Sequence, residues 1–140
     1  MKIYNAENII LGRLCSQVAK EALLGEQVAV VNSEKAIISG SKEGILAREK
    51  WKWDRRGYPL KSPKYSRLPD RFVRKAIRRM LPFKNARGKE AYKQVMCYIG
   101  IPAEFAGKSM ISTKKLSVSK LPTMSYISVG EVCKMLGGKI

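Results

Sequence analysis

The chain has 140 residues, with 28 Lys and Arg against 11 Asp and Glu, a formal net charge of +17 and no histidine. Its hydrophobic fraction of 45% is ordinary for a globular protein and argues against wholesale disorder, and its length fits one domain. The absence of histidine excludes histidine-based triads, Cys-His dyads and zinc sites with histidine ligands.

Three cysteines, at positions 15, 97 and 133, lie far apart in the sequence. An odd, widely spaced set does not suit a disulfide framework, so we expect small buried hydrophobic residues in a reducing compartment. No run of 18 apolar residues is present, and residues 1–7 lack the apolar stretch of a signal peptide. The sequence therefore predicts a cytosolic protein, without catalytic residues, metal or cofactor.

The first 40 residues have the pattern of a strand–helix–strand unit. Residues 3–6 are a strand candidate, and a helix follows with apolar residues at helical spacing: Leu11, Leu14, Cys15, Val18, Ala22 and Leu23. Gly25 stands where a helix C-terminal cap is expected. The apolar run 28–31 predicts a strand buried on both faces, as in a parallel sheet. Residues 36–38 form another short apolar segment, and a helix is expected to begin near Ser41.

Residues 42–93 carry most of the excess positive charge, with 18 Lys and Arg against 5 Asp and Glu, a net +13. Residues 1–41 are neutral overall, and residues 94–140 carry a net +4. Such an imbalance costs self-repulsion, so it indicates a surface for a polyanion. We call residues 42–93 the basic segment and expect it to be inserted in a single domain of residues 1–140.

Within the basic segment, residues 54–68 contain prolines at 59 and 63 and no apolar periodicity. Such a stretch is usually functional or disordered, and a flexible surface loop is the plainer interpretation. Its cations alternate with tyrosines, a combination that follows phosphates and stacks on bases. We predict an RNA-binding arm in residues 54–68, formed by Arg55, Arg56, Tyr58, Lys61, Lys64, Tyr65 and Arg67, and we expect Lys52, just before it, to bind RNA as well. Trp51 and Trp53 border the arm and suit either anchoring it to the core or touching RNA.

A second basic element is the helix predicted to begin at Pro69 and to end before Pro82. Its predicted apolar face comprises Val73, Ala76, Ile77 and Met80. The opposite stripe comprises Arg71, Arg74, Lys75 and Arg78, joined by Arg79. Like charges one turn apart repel one another, so the stripe favours phosphate binding over a merely solvated face.

Residues 82–89 are predicted to form a third basic element, a loop that contains Lys84, Arg87, Gly88 and Lys89. Gly88 suits either close approach of the backbone to a phosphate or a plain helix-entry turn. A short helix from Lys89 to about Met96 is expected next.

The C-terminal part of the chain, residues 94–140, carries a smaller net charge than the basic segment. Residues 116–118 predict a strand. Ser128 and Glu131 have capping-box spacing, and apolar residues follow at helical spacing: Val129, Val132, Cys133 and Leu136. Gly137 after them indicates the end of that helix.

Two alternatives to RNA binding stay open from the residues alone. Glu7 and Glu34 follow the first two strands, where ligands bind in open α/β sheets, so a small metal-dependent nuclease or nucleotide-binding protein is one alternative. Turn carboxylates are the plainer interpretation of this pair, and no phosphate-binding glycine motif is present. A polybasic membrane-surface protein is the other alternative, although the basic helix has Ala and Val rather than bulky aromatics on its apolar face.

Seven short motifs occur in a fixed order along the chain. They are residues 12–20 (Gly-Arg-Leu-Cys-Ser-Gln-Val-Ala-Lys), 23–25, 30–32, 38–40, 78–82 (Arg-Arg-Met-Leu-Pro), 87–91 (Arg-Gly-Lys-Glu-Ala) and 98–102 (Tyr-Ile-Gly-Ile-Pro). Together they resemble a universal ribosomal protein family, number thirteen of the large subunit, in its archaeal and eukaryotic branch. The chain departs from common family patterns at residues 65–69, Arg79 and Phe83.

The resemblance implies a three-layer α/β/α domain with a small, mainly parallel sheet. It also implies a non-enzymatic structural component of the large ribosomal subunit that binds and stabilises large-subunit ribosomal RNA beside neighbouring ribosomal proteins in the cytoplasm. The three basic elements of residues 42–93 are then the expected RNA face.

Overall fold

The computed structural model describes residues 1–55, 65–111 and 116–139. Its strands and helices follow one another in chain order as β1 (Lys2–Asn5), α1 (Leu11–Leu23), β2 (Val28–Val31), β3 (Ile37–Ser39), α2 (Lys42–Asp54), α3 (Pro69–Met80), α4 (Ala86–Lys93), β4 (Val95–Cys97), β5 (Tyr126–Ser128) and α5 (Val129–Met135). The predicted α/β class is confirmed, and every helix expected from the sequence is present.

A parallel three-stranded sheet in the order β1-β2-β4 is the centre of the fold. Lys2 pairs with Val28, and Val28 pairs in turn with Val95. All four residues of β2 are buried, as the unbroken apolar run predicts for a central parallel strand. The helix predicted to run to about Met96 instead ends at Lys93, because β4 takes up the next residues and alternates buried and exposed side chains.

The helices α1, α3, α4 and α5 contribute to one hydrophobic cluster with the sheet. Leu14, Val18, Ile77 and Val129 are fully buried there. The other face of the sheet is covered by a short 3-10 turn (Ala103–Phe105), whose Phe105 packs on β1 and β2 residues. The strands β1 and β2 are therefore covered on both faces, whereas Met96 of β4 stays exposed.

Residues 37–39 lie outside the parallel sheet and pair antiparallel with β5, with Ile37 opposite Ser128. Ser128 caps α5 as predicted, because its Oγ accepts a hydrogen bond from the Glu131 N–H at 3.2 Å. The predicted strand at 116–118 is wrong. Ser117 makes only an isolated bridge with Ile9, and a 3-10 turn (Val118–Lys120) follows it.

Candidate nucleic-acid interface

Helix α3 presents a basic surface beside the hydrophobic cluster that holds it. Pro69 occupies its first turn, and the side chains of Val73 and Ile77 are fully buried. Met80 was predicted on the same apolar face, but it is 43% exposed. Met80 is the last residue of α3, at the edge of the core, and its Sδ still faces α1, where it accepts a hydrogen bond from Ser16 Oγ at 3.4 Å.

The basic side chains of α3 differ in exposure. Arg71, Arg78 and Arg79 are exposed, whereas Arg74 and Lys75 are half-buried. Among the described residues, no carboxylate lies within 4.0 Å of any α3 arginine. An ordinary surface helix balances such charges with acids, so this one carries a positive charge that the described part of the protein does not neutralise.

Arg74 does not belong to a fully solvated stripe. Its guanidinium carbon lies 4.6 Å from the centre of the Tyr92 ring, on α4. Its Nε is buried and has no hydrogen-bond partner within the described ranges. The Arg74 side chain therefore lies between α3 and α4, unlike the other arginines of the predicted stripe.

Aromatic rings support two of these guanidinium groups. The Arg78 guanidinium lies 3.7 Å from the Phe83 ring centre. Phe83 and Tyr92 meet edge to face with their centres 5.4 Å apart, so Arg78 and Arg74 rest on one aromatic pair. Cation–π contacts of about 0.5–1 kcal/mol each hold such groups in place while leaving their N–H donors available.

An open concavity lies at the end of α3. Four cations line it together with backbone and apolar groups: Lys75, Arg78, Arg79, Lys84, Leu81, Pro82, Phe83 and Asn85. The concavity joins the second and third predicted basic elements into one surface. Its shape and charge suit the phosphate backbone of a nucleic acid.

Lys75 lies at the inner edge of this surface. Its Nζ is 4.2 Å from the centre of the Tyr65 ring. Burial lowers the pKa of Lys75, and the positive charges of Arg79 and Arg78 lower it further. Burial, and after it the neighbouring arginines, therefore make the charged form of Lys75 less favourable in the free protein.

The third basic element is a loop only as far as Asn85 and is helical after it. Helix α4 begins at Ala86, so Arg87, Gly88 and Lys89 lie in its first turn instead of before it. Arg87 donates a hydrogen bond from Nη2 to the Leu23 carbonyl oxygen at 3.3 Å, at the C-terminal end of α1. Lys84 and Lys89 are exposed. Arg87 thus has a bond within the protein that the sequence did not predict.

Gly88 is buried, and its α-carbon packs on the backbone of Pro82 and Phe83. This packing accounts for the glycine without a ligand. A direct contact between Gly88 and phosphate has no support from this arrangement.

The start and end of the predicted arm are described, and its centre is not. Lys52 binds the Glu49 carboxylate at 2.6 Å. The Arg55 guanidinium stacks 4.4 Å from the Trp51 ring centre, and the Arg67 guanidinium stacks 4.0 Å from that of Trp53. The other members of the predicted arm, Arg56, Tyr58, Lys61 and Lys64, lie outside the described residues.

The end of the arm is fixed to the C-terminal part of the fold. A Cβ added at Gly138 would overlap the Arg67 carbonyl oxygen, and the Arg67 guanidinium lies beside Gly137. Arg67 is therefore held between Trp53 of α2 and the two glycines that follow α5. Sequence reasoning identified the cations of this region but not the residues that position them.

The carboxylates considered for an enzyme are committed to other contacts. Glu7 accepts a hydrogen bond from Lys35 Nζ at 2.7 Å, and that bond is the main cause of its lowered pKa. Glu34 accepts the Gly100 N–H at 3.1 Å. Within residues 1–55, 65–111 and 116–139, no group of three or more Cys, Asp and Glu side chains is placed to hold a metal. No helix in the same ranges is long and apolar enough to cross a bilayer.

Comparisons with known proteins show the family to which the chain is similar. The model of the family described as Ribosomal protein L13 matches residues 1–104. A protein of Methanococcoides burtonii is 39% identical over 140 residues, covering 99% of both chains. Proteins of Methanopyrus kandleri and Methanococcus maripaludis are 44% and 43% identical, covering 96% and 99% of this chain and 86% and 99% of their own. Each of the three is named large ribosomal subunit protein uL13.

Proposed function

The chain belongs to the Ribosomal protein L13 family, and on that premise we propose that it is a structural component of the large ribosomal subunit that binds large-subunit ribosomal RNA. Its proposed partners are that RNA and neighbouring ribosomal proteins. Its role is non-enzymatic, and its place in the cell is that of the ribosome.

One observation supports the RNA-binding part of the proposal most strongly. Arg71, Arg78 and Arg79 are exposed on α3 and have no carboxylate within ion-pair distance among the described residues. Arg78 is also stacked on Phe83, so part of its ordering cost is met before RNA arrives. Phosphates are the partners that such preplaced guanidinium groups bind in bidentate geometry.

We propose that the RNA-binding set consists of the exposed cations of α3 and α4 together with the arm. Its members are Lys52, Arg55, Arg56, Tyr58, Lys61, Lys64, Tyr65, Arg67, Arg71, Lys75, Arg78, Arg79, Lys84 and Lys89. Arg74 and Arg87 also belong to this set, although each makes a contact within the protein as well: Arg74 with the Tyr92 ring and Arg87 with the Leu23 carbonyl oxygen. Gly88 is left out because its packing on Pro82 accounts for it.

The proposal is tested by the triple variant Arg71→Gln, Arg78→Gln, Arg79→Gln, which avoids the half-buried Arg74. Binding to in vitro transcribed large-subunit ribosomal RNA is measured by filter retention at several salt concentrations. We expect affinity to fall by on the order of 100-fold, because three charge-assisted contacts of about 1 kcal/mol each are lost.

The matched control is Lys20→Gln, Lys120→Gln, Lys134→Gln, which removes the same charge from exposed positions outside the basic segment. The slope of log affinity against log salt should flatten by about 2–3 in the α3 variant and much less in the control. Equal losses in the two variants would show that only overall charge matters. No loss in either would overturn the assigned surface.

A further inference from the structure

Trp51 occupies a position on α2 that the packing of the protein does not explain. The buried residues of α2 are Ile45 and Glu49, which lie one turn apart and face the rest of the fold. Trp51 follows Glu49 by two residues, about 200° around the helix, and its side chain is 57% exposed. Anchoring to the core therefore does not account for this indole.

The other tryptophan shows what an anchoring role looks like. Trp53 is half-buried, and the Arg67 guanidinium covers its ring at 4.0 Å. Arg67 is in turn held against Gly137 and Gly138. The sequence left both roles open for both tryptophans, and the two residues differ in the structure.

Among the residues that the structure describes, one cation stacks on Trp51. The Arg55 guanidinium, one turn along α2, lies 4.4 Å from the indole centre, and the ring stays largely exposed with Arg55 in place. Residues 48–55 hold four cations and two acids. One of these acids, Glu49, is already bound by Arg48 and Lys52, which leaves Asp54 as the other acid near the ring.

We propose that Trp51 and Arg55 form a stacking site for an unpaired base of RNA, with the indole contacting the base and Arg55 reaching its phosphate. The site deepens the proposed function and rests on it. Aromatic and guanidinium planes side by side are the surface on which single-stranded bases stack, whereas duplex RNA offers no free base face. The excess of cations around the ring favours a nucleic acid over a protein as its occupant.

The chain contains only two tryptophans, so each can be observed alone. In Trp53→Phe, fluorescence reports Trp51, and in Trp51→Phe it reports Trp53. The probes are a single-stranded adenine homopolymer, a blunt RNA duplex of equal length and inorganic polyphosphate. We expect the single strand to quench Trp51 strongly. We expect the duplex and polyphosphate to quench it weakly, and Trp53 to change little with any probe.

Affinity gives an independent readout. Trp51→Ala should weaken single-strand binding by about 5- to 150-fold, the range for loss of one stacked base. Trp51→Phe should keep most of the affinity because it retains an aromatic face. Leu24→Ala, at another highly exposed apolar residue, is the matched control and should change nothing. Because Trp51 is exposed, the variants should keep the parent melting temperature.

The outcomes separate this proposal from the proposed function. If the single strand binds, and the α3 triple variant weakens it, but Trp51 is not quenched, the stacking site is wrong and the RNA-binding function stands. If Trp51→Ala lowers the affinity for polyphosphate as much as the affinity for RNA, Trp51 acts only by positioning the Arg55 charge. Base stacking by Trp51 is then wrong as well. If Trp51→Ala impairs only incorporation into subunits, a protein occupies the site. If no RNA binds at all, both proposals fail.

Discussion

The α-carbon of Gly88 lies so close to the backbone carbonyl of Pro82 that any side chain at residue 88 would overlap that oxygen. This contact sets how α4 leaves the end of α3. It thereby places Tyr92 against Phe83, the aromatic pair on which Arg74 and Arg78 rest. The close packing of Gly88 thus helps to position the aromatic rings that contact Arg74 and Arg78.

Gly88→Ala should therefore lower the free energy of unfolding by about 3 kcal/mol or more, since the overlapped atoms are backbone and yield only if a helix moves. Gly12→Ala is the control, because a Cβ there meets nothing within 4 Å and the residue lies exposed in α1. That change should raise stability by about 0.5–1 kcal/mol. Urea unfolding measures both, and similar values for the two variants would contradict the packing argument.

The sequence predicted those elements whose pattern is local and complete. Helix α1 and strand β2 have unbroken apolar patterns, and Ser128 marks the start of α5, so all three were predicted correctly. Strand β4 is three residues long, too short for periodicity to separate it from the preceding helix. Residues 116–118 have strand composition, but their pairing is limited to one antiparallel bridge, Ser117 with Ile9, flanked by backbone hydrogen bonds to Asn8 and Ile10.

In the proposed interface, too, the features with a local sequence pattern were predicted and those that depend on tertiary packing were not. Charge and spacing identified the cations of α3, because side chains three and four residues apart share a helix face. The rings beneath those cations come from separate elements: Tyr92 lies on α4 and Phe83 on the connection before it. Such contacts depend on how helices pack, which composition does not specify. Trp51 and Arg55 are the exception, since their i,i+4 spacing is visible in the sequence.

Lys75 should make RNA affinity depend on pH. Burial and the neighbouring arginines lower its pKa in the free protein, and a bound phosphate would raise that pKa. The affinity it contributes is then complete below the free-state pKa and is lost as pH rises through the bound-state pKa. The RNA affinity that Lys75 contributes should begin to fall at a lower pH than that from an ordinary lysine.

The matched variant is Lys75→Arg, because arginine keeps its charge throughout this range. Affinity for ribosomal RNA measured from about pH 7 upward should decline less steeply for Lys75→Arg than for the parent chain. At neutral pH the two should agree closely. Parallel pH profiles would show that Lys75 does not contact phosphate.

Tyr4 should make the fold sensitive to alkali. Its hydroxyl donates to Glu21 Oε1 at 2.5 Å, and burial followed by this bond raises the pKa of Tyr4 to about 12. The folded state therefore holds the proton more tightly than the unfolded state, whose tyrosines titrate near about 10. Stability from Tyr4 is complete below about pH 10 and disappears by about pH 12, a loss on the order of 2–3 kcal/mol.

Tyr4→Phe should remove that alkaline loss and cost about 1 kcal/mol at neutral pH, because Glu21 keeps its bond from Gln17. Tyr126→Phe, at an exposed tyrosine, is the control and should leave the pH profile unchanged. Urea midpoints measured at intervals from about pH 7 to about pH 11.5 follow the effect. If the urea midpoint of Tyr4→Phe falls with rising pH as much as that of the parent chain, other groups cause the alkaline loss of stability.

The three cysteines should be unreactive in the folded protein. Cys15, Cys97 and Cys133 are free and buried, and burial raises the pKa of each thiol to about 12. Only the thiolate attacks a disulfide reagent, so at about pH 8 native thiols should react at least about 10³-fold more slowly than in urea. Fast reaction of one thiol in the folded protein would indicate that its surroundings open.

Residues 1–104 match the family model, yet the support of α3 is completed far beyond them. Val129 and Cys133 of α5 are fully buried in the same cluster as Val73 and Ile77. A ribosome makes a chain from its N-terminus, so the arginines of α3 exist well before α5. During synthesis these arginines are therefore present before the helix that completes the packing of α3. We therefore expect the surface formed by α3 to take its final form only after α5 has been synthesised.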